Sequence, residues 1–313
     1  MRRIWKYIAI VQYALWLVAV ERFFFKGNAS FSLGFLYSSL PNNPSWDLPA
    51  LTSEQGQQLD EILAQPFTYF AKGTHCYAFA SEDGKYVLKF HRYPSHMRLF
   101  SWLKSPLAYR LDPRRIQIKE HNVARHAEIM ENYKASFSDL KEETGVILLH
   151  INCTEHLKKT ATLIDKAKNR YSLPLDDVTF ILQHKAKLIF PALESYFASG
   201  QTERTKESLQ HIVQLIVNSW QKGYLNKDPV LKKNYGLLAN RAIYIDTGDL
   251  KQEKVKDMES HLAEVTAPLR QWLQEHSFDL CEYFYSLCKN SLNCVCKEEG
   301  TTSSMPPRSY IKK

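Results

Sequence analysis

From residue 67 to residue 92 the chain reads "FTYFAKGTHCYAFASEDGKYVLKFHR", with apolar and polar positions largely alternating. A period of two puts successive side chains on opposite faces of a sheet, so this stretch predicts two or three strands. Asp83-Gly84 lies between two such runs and predicts a hairpin with a type I′ turn, which needs positive φ at both central residues. The period then changes. Pro113 suits a first helical turn, and Ile116, Val123, Ala127, Met130 and Phe137 recur at helical spacing, predicting one long amphipathic helix. "TGVILLHINCT", "TATLIDKA" and "VTFILQHKA" come next as strand-like runs. "TERTKESLQHIVQLIVNSWQKGY" predicts a second strong helix, with apolar residues at Leu209, Ile212, Val213, Ile216 and Trp220, and "VKDMESHLAEVTAPLRQWLQEH" a further one. Upstream, "TSEQGQQLDEIL" reads as a short helix capped by Thr52 or Ser53. Strands, one helix, strands, then helices make an α+β arrangement, β-rich first and helical second.

Composition narrows the class. The 313 residues are 44% apolar and 24% charged, an ordinary globular balance for one large domain or two lobes. A net charge of +8 fits a membrane surface, phosphate-bearing substrates or nucleic acid. With no RNP-like, zinc-finger or arginine-rich pattern, nucleic acid is the partner the sequence argues against. Positive residues are densest over 91–115, either a solvated face or a patch that meets anionic lipid or phosphate. At the N-terminus, Arg2, Arg3 and Lys6 precede an uncharged run over 7–20. Fourteen residues fall short of the ~20 that span a bilayer, but they suit a signal or a helix lying in the interface, so membrane association is expected. A packed core helix is the other reading. Six cysteines complete the inventory. Cys76 and Cys153 read as buried free thiols, and Cys281, Cys288, Cys294 and Cys296 crowd the C-terminal end at a spacing unlike common zinc knuckles. If that end lies outside the cytosol, these four suit disulfides.

Candidate chemistry concentrates over 223–248, "GYLNKDPVLKKNYGLLANRAIYIDTG". Asp228, Asn234 and Asp246 are either turn residues or a set of hard oxygen ligands of the kind magnesium prefers. Lys89, at the end of "KYVLK", is either an exposed strand-edge lysine or a point charge for phosphate oxygens.

Taken in order, these residues resemble the protein-kinase-like superfamily, which includes bacterial aminoglycoside phosphotransferases and lipopolysaccharide-core kinases. The resemblance covers about 67–250. It implies a bilobal fold, with a β-rich N-lobe and a shortened helical C-lobe behind an N-terminal apolar helix. "KYVLKF" resembles the third strand, making Lys89 the residue that reaches the nucleotide phosphates, and "KGTHCYAF" sits where a hairpin should cover them, with Gly73 approaching phosphate. "DPVLKKN" resembles the catalytic loop, with Asp228 as base or substrate-orienting acid and Asn234 as metal ligand. "IDTG" resembles the metal-binding Asp-x-Gly, giving Asp246. "VTFILQHKA" resembles the strand running into the segment that faces adenine, with backbone near Gln183 to Lys185 at the ring. Glu131 stands at a plausible distance to pair with Lys89, with Glu128 and Glu120 as rivals. ATP and magnesium are the implied cofactors, and a hydroxyl acceptor, on a small molecule, glycolipid or protein, the implied substrate.

The departures from that pattern are specific. The hairpin has one glycine, Asp228 to Asn234 is one residue longer than usual, and no Ala-Pro-Glu segment comes after Asp246. They leave a catalytically degenerate pseudokinase acting as a binding module as one alternative, and a structural envelope protein with C-terminal disulfides as another. The boundaries expected are 1–27 for the apolar helix, 28–60 for a linker and short helix, 61–186 for the N-lobe, 187–296 for the C-lobe and 297–313 for a polar tail. Three basic residues before the apolar run and two after it favour export of the remainder of the chain. Export conflicts with ATP use, so the side of the membrane stays open.

Overall fold

The alternating stretch folds as three antiparallel strands, β1 (Phe67–Lys72), β2 (Cys76–Ser81) and β3 (Tyr86–His91). The computed structural model describes residues 11–13, 15, 16, 31–38, 40–93 and 114–298. Most of the expected apolar helix over 1–27, most of the basic stretch over 91–115 and nearly all of the polar tail lie outside those residues. On one face of the meander Tyr77, Phe79, Leu88 and Phe90 are buried with Leu59, Ile62 and Leu63 of the helix α1 (Ser53–Leu63). Thr52 caps that helix, in a reciprocal capping box with Gln55. The opposite face carries Ala78, Ala80, Val87 and Lys89.

The β2–β3 turn departs from type I′. Only Gly84 has positive φ, at 70°, and the loop runs from residue 82 to 85. Asp83 serves as an acceptor instead, taking the Ser81 hydroxyl (2.7 Å) and the Lys85 N–H (3.0 Å). That Asx-type bonding closes the turn without a left-handed residue at 83.

A long helix, α2 (Arg114–Ser138), and a short one, α3 (Lys141–Thr144), lead to β4 (Val146–His150). The chain then crosses the sheet. The hairpin of β5 (Thr160–Ile164) and β6 (Arg170–Pro174) joins the far edge, where β5 runs parallel to β1. The chain returns as β7 (Phe180–His184), which inserts between β3 and β4. The resulting order is β4-β7-β3-β2-β1-β5-β6. The apolar run of β7, Phe180, Ile181 and Leu182, fits this position, because a central strand is covered on both faces.

The rest is mainly helical. After β8 (Lys187–Leu188) come α4 (Ile189–Ala198) and α5 (Thr202–Gln221), whose Leu209, Ile212, Val213, Ile216 and Trp220 are all buried as the spacing predicts. Two small antiparallel sheets come next. The first joins β8 to β10 (Tyr235–Leu237) and β11 (Ala242–Tyr244); the second joins β9 (Tyr224–Asn226) to β12 (Leu250–Gln252). Between β9 and β10 lies one helical turn, α6 (Leu231–Asn234). Helices α7 (Met258–His276) and α8 (Phe278–Glu298) complete the core. The chain is thus an α+β fold with a seven-stranded sheet and a helical C-terminal part. Each part has its own apolar core, and a third cluster joins α2 to the sheet through Ile129, Met130, Tyr133 and Ile181.

Helix α8 resolves the cysteine cluster differently from a disulfide knot. Leu280, Phe284, Cys288 and Leu292 fall four apart and are buried, which is a packing stripe. Cys288 belongs to that stripe, and burial pushes its thiol up to about 12. Cys281 and Cys294 are also free, as are Cys76 and Cys153, although Cys76 is half-buried and Cys153 exposed rather than buried. The Cys296 side chain lies outside those described. Among the described residues, no helix is long and apolar enough to cross a membrane.

Candidate functional site

The two acids and the asparagine of 223–248 are held together by short-range bonds. Asn234 Nδ2 donates to both the main-chain carbonyl (2.7 Å) and the carboxylate (2.9 Å) of Asp228. Asn226 steadies the same loop by accepting from the Asp228 N–H at 3.0 Å. The segment between Asp228 and Asn234 is coiled into α6, where the Asn234 N–H donates to the Val230 carbonyl at 2.9 Å. The carbonyl of Asn234 then accepts from the Ile245 N–H at 2.7 Å, fixing the strand that ends at Asp246. One Asp246 oxygen accepts from the Gly248 N–H at 3.1 Å. Asp228 is exposed and Asn234 buried. With Nδ2 committed to Asp228, the amide oxygen is the remaining acceptor of Asn234.

Gly236 keeps this region tight. A Cβ there would stand 2.6 Å from the Ala186 Cβ and 2.9 Å from Ile245 Cδ1. Only a residue without one lets β10 pass so close to both.

Lys89 of β3 reaches the segment that ends at Asp246. Its Nζ donates to the Ile245 carbonyl, 156 positions away in sequence and adjacent to Asp246. Desolvation lowers the Lys89 pKa, while the charge of Asp246 acts in the opposite sense. A chain of direct contacts therefore runs from Lys89 through Ile245 to Asn234 and Asp228, with Asp246 next to its midpoint.

The remaining expected residues are placed otherwise. Glu131 is exposed and accepts from Trp46 Nε1 at 2.8 Å. Glu128 is engaged by Arg125 (2.6 Å) and by Lys251. The Glu120 side chain is outside those described. Glu128 and Glu131 are only three positions apart, but α2 directs each to a partner other than the lysine. The Gly73 N–H donates to the Cys76 carbonyl across the β1–β2 turn (2.9 Å), and the nearest atoms to an added Cβ lie 3.7 and 3.8 Å away, so nothing local demands glycine. Buried Gln183 sends Nε2 to the carbonyls of Thr144 (2.5 Å) and Tyr244 (2.9 Å), tying the sheet to β11. The His184 and Lys185 N–H groups donate to Gly145 (3.0 Å) and Lys85 (2.8 Å), so these donors serve the protein's own backbone. The Lys185 ammonium sits over Phe70, 5.1 Å from the ring centre.

What joins α2 to the site is a set of contacts with the Asp246 loop. Asn132 Nδ2 donates to the Gly248 carbonyl at 2.7 Å. Arg125 pairs with Asp249, and Glu128 with Lys251. Tyr133 lies beside the loop, its ring carbon 3.7 Å from where a Gly248 Cβ would be, and burial raises its pKa well above the usual tyrosine value. Sequence reading passed over Asn132. Its one signal was a polar residue among the buried positions Ile129, Met130 and Tyr133 of a helix. A buried amide needs a partner, and here the partner is the loop.

Among the described residues no group of three His, Cys, Asp or Glu side chains could hold a metal ion. Asn234 and Asp246 remain two oxygen donors.

No family model matches the chain, and no curated protein matches its sequence. Among solved structures it is similar to WbdD. A 2.2 Å crystal structure of WbdD is 14% identical with TM-score 0.38, matching 75% of this chain and 50% of that one. A co-crystal of WbdD with a kinase inhibitor gives 11% identity and TM-score 0.36, over 75% and 48%. A structure described as the bifunctional kinase-methyltransferase WbdD gives 13% and 0.34, over 75% and 45%. This chain spans half or less of each of those chains. A likeness of this degree carries nothing about chemistry, which must be read from the chain's own residues.

Proposed function

We propose that this chain is a kinase-like phosphotransferase that binds ATP with magnesium and transfers the γ-phosphate to a hydroxyl acceptor. The observation that carries the reading is the contact chain Lys89–Ile245–Asn234–Asp228 with Asp246 beside it. A cation from the sheet is brought to the segment that carries two acids and one asparagine, and phosphoryl transfer needs this combination of positioning and charge neutralisation.

In this reading Lys89 leaves the Ile245 carbonyl to hold phosphate oxygens, and its lowered pKa reflects a desolvated position that an anion would relieve. Exposed Asp228 orients the acceptor hydroxyl and takes its proton as transfer proceeds. The Asn234 bond to the Asp228 carboxylate fixes that orientation. The Asn234 amide oxygen and the Asp246 carboxylate fit magnesium, which takes hard oxygen ligands, fills its shell with phosphate and water, and supplies charge neutralisation when bound.

A second reading, a binding module without transfer, is favoured by the missing acid partner of Lys89 among the described side chains and by the self-satisfied Gly73 turn. Thermal-shift titration with ATP and magnesium separates the cases. The wild type should be stabilised in proportion to ligand, and Asp246→Ala and Lys89→Met should lose that response. No response in the wild type overturns both readings as nucleotide binders. A response without phosphate transfer to any acceptor, unchanged by Asp228→Ala, selects the binding module.

A further inference from the structure

Away from this site, the loop over 151–159 that carries the chain from β4 across the sheet is tied to one histidine. His150, the last residue of β4, is buried, and its ring stacks on Phe180 of β7 with centres 5.3 Å apart. Its Nδ1 lies 2.8 Å from the Val178 carbonyl, and its Nε2 lies 3.1 Å from the Thr154 hydroxyl. The same hydroxyl stands 2.5 Å from Asp176 Oδ1. Asp176 also gathers the loop, accepting from the N–H groups of Leu157 (2.9 Å) and Lys158 (2.7 Å). Its main-chain carbonyl accepts from the Thr154 N–H at 3.0 Å. Lys158 has φ of 50°, a left-handed conformation that a side-chain-bearing residue keeps only where its surroundings fix it.

The line Val178–His150–Thr154–Asp176 has three contacts between heteroatoms, and each needs one hydrogen. A carbonyl only accepts, so His150 Nδ1 must donate to Val178. A neutral imidazole then has a bare lone pair at Nε2, and the threonine hydroxyl has one hydrogen for two neighbours. Given to Nε2, that hydrogen leaves two oxygens facing each other at 2.5 Å. Given to Asp176, it leaves Nε2 and Oγ1 lone pair to lone pair. One more proton completes the line. It does not belong on Asp176: burial pushes that carboxyl up, but the Thr154 hydroxyl and the Lys158 and Leu157 N–H groups outweigh it and hold the acid below the usual carboxylate range. On His150 the proton satisfies every contact. The imidazolium donates to Val178 and Thr154, and Thr154 donates to the carboxylate.

Burial lowers the imidazole pKa from 6.5, and His156 of the loop acts in the same sense. The Val178 carbonyl and Asp176, from the turn before β7, act in the opposite sense. The extra proton therefore arrives below pH 6.5. We propose that His150, Thr154 and Asp176 form an acid-closed latch, in which the His150 imidazolium holds the 151–159 loop to β4 through Thr154 and loss of its proton frees that link. The latch does not depend on chemistry at the Lys89 site.

A nuclear magnetic resonance titration of the full chain from about pH 8 to about pH 5 tests it. Imidazole nitrogen shifts should show His150 passing from the Nδ1–H tautomer to the imidazolium, with its midpoint below 6.5. Amide exchange at Thr154, Leu157 and Lys158, corrected for its intrinsic pH dependence, should slow about fivefold over the same midpoint, as for one hydrogen bond gained. The Leu182 amide, within the sheet, should not slow. A loop whose exchange does not change, or changes at a different midpoint, overturns the proposal, and this measurement needs no variant. Thr154→Val should abolish the step in loop exchange and weaken proton binding at His150 about tenfold, because the imidazolium loses an acceptor. Thr154→Ser, which keeps the hydroxyl, should keep the step. A step that survives in Thr154→Val or vanishes in Thr154→Ser also overturns the latch.

Discussion

The two halves of the candidate site are built in different ways. The lower half, Asp228 through Asp246, is closed by hydrogen bonds between residues close in sequence: Asn234 reaches back six positions to Asp228, and Ile245 forward eleven from Asn234. The upper half, Lys89 and helix α2, depends on contacts across more than a hundred positions, to Ile245, Gly248 and Asp249. The lower half can form as one unit. The upper half is positioned only when the whole chain has folded, and α2 is fastened to the loop below rather than to the lysine beside it.

Three perturbations probe that contrast. The largest is acid. His91 and His126 meet at 3.3 Å where β3 packs on α2. Burial lowers the pKa of His126 from 6.5 to about 4, and burial with nearby His126, His75 and Arg92 lowers that of His91 well below 6.5. A depressed histidine pKa means that the unfolded chain takes up the proton first, so stability falls as pH drops through 6.5, and the share from His126 is fully lost below about 4. His126 alone should contribute about 3 kcal/mol of that loss. Urea denaturation of wild type and His126→Phe across this range should show the variant with the shallower dependence. Equal slopes would remove the histidine pair from the upper half's account.

A smaller effect is expected below. Gly236→Ala forces a methyl against Ala186 and Ile245 and should destabilise by about 1–3 kcal/mol, read from the denaturation midpoint. It should also weaken any nucleotide response, because Ile245 carries the Lys89 contact. The smallest effect belongs to Glu131→Gln. If α2 serves the site through Asn132 and Arg125, this change should cost under about 1 kcal/mol and leave the nucleotide response intact. Loss of that response would restore a role for Glu131 near Lys89 and undo the contrast.

How far the sequence was readable tracks the same division. The strands around Lys89, a cap for α1 at Thr52 or Ser53 (the structure uses Thr52) and the α5 stripe were legible, since each rests on local period or on a cap three residues away. That Asp228, Asn234 and Asp246 fall in one short stretch was plain from the sequence, and the chain between the first two makes a single helical turn. What could not be read were the relations set by tertiary contact. Nothing in "TATLIDKA" says that its strand goes to the far edge beside β1. Nothing in the spacing of Glu128 and Glu131 says that one serves Arg125 and the other Trp46. Cys288 looked like one of four clustered cysteines until the four-residue stripe with Phe284 and Leu292 showed it to be core. The Asp83-Gly84 turn was read as a dipeptide signal, but the Ser81 hydroxyl and the Asp83 carboxylate decide its geometry.

The placement of β7 has a consequence for how the chain is made. β3 carries Lys89, yet its neighbour across the sheet is not synthesised until residues 180–184. Until then one side of the lysine strand presents unpaired backbone donors and acceptors, and such an edge is where nascent chains mispair. The hairpin that travels to the far edge lengthens this interval, and closing the sheet requires the return of a segment some ninety residues downstream of β3. Contacts that distant slow folding. The chain therefore completes the middle of its sheet after both borders, and assembly of the lysine strand is timed by the last strand to arrive.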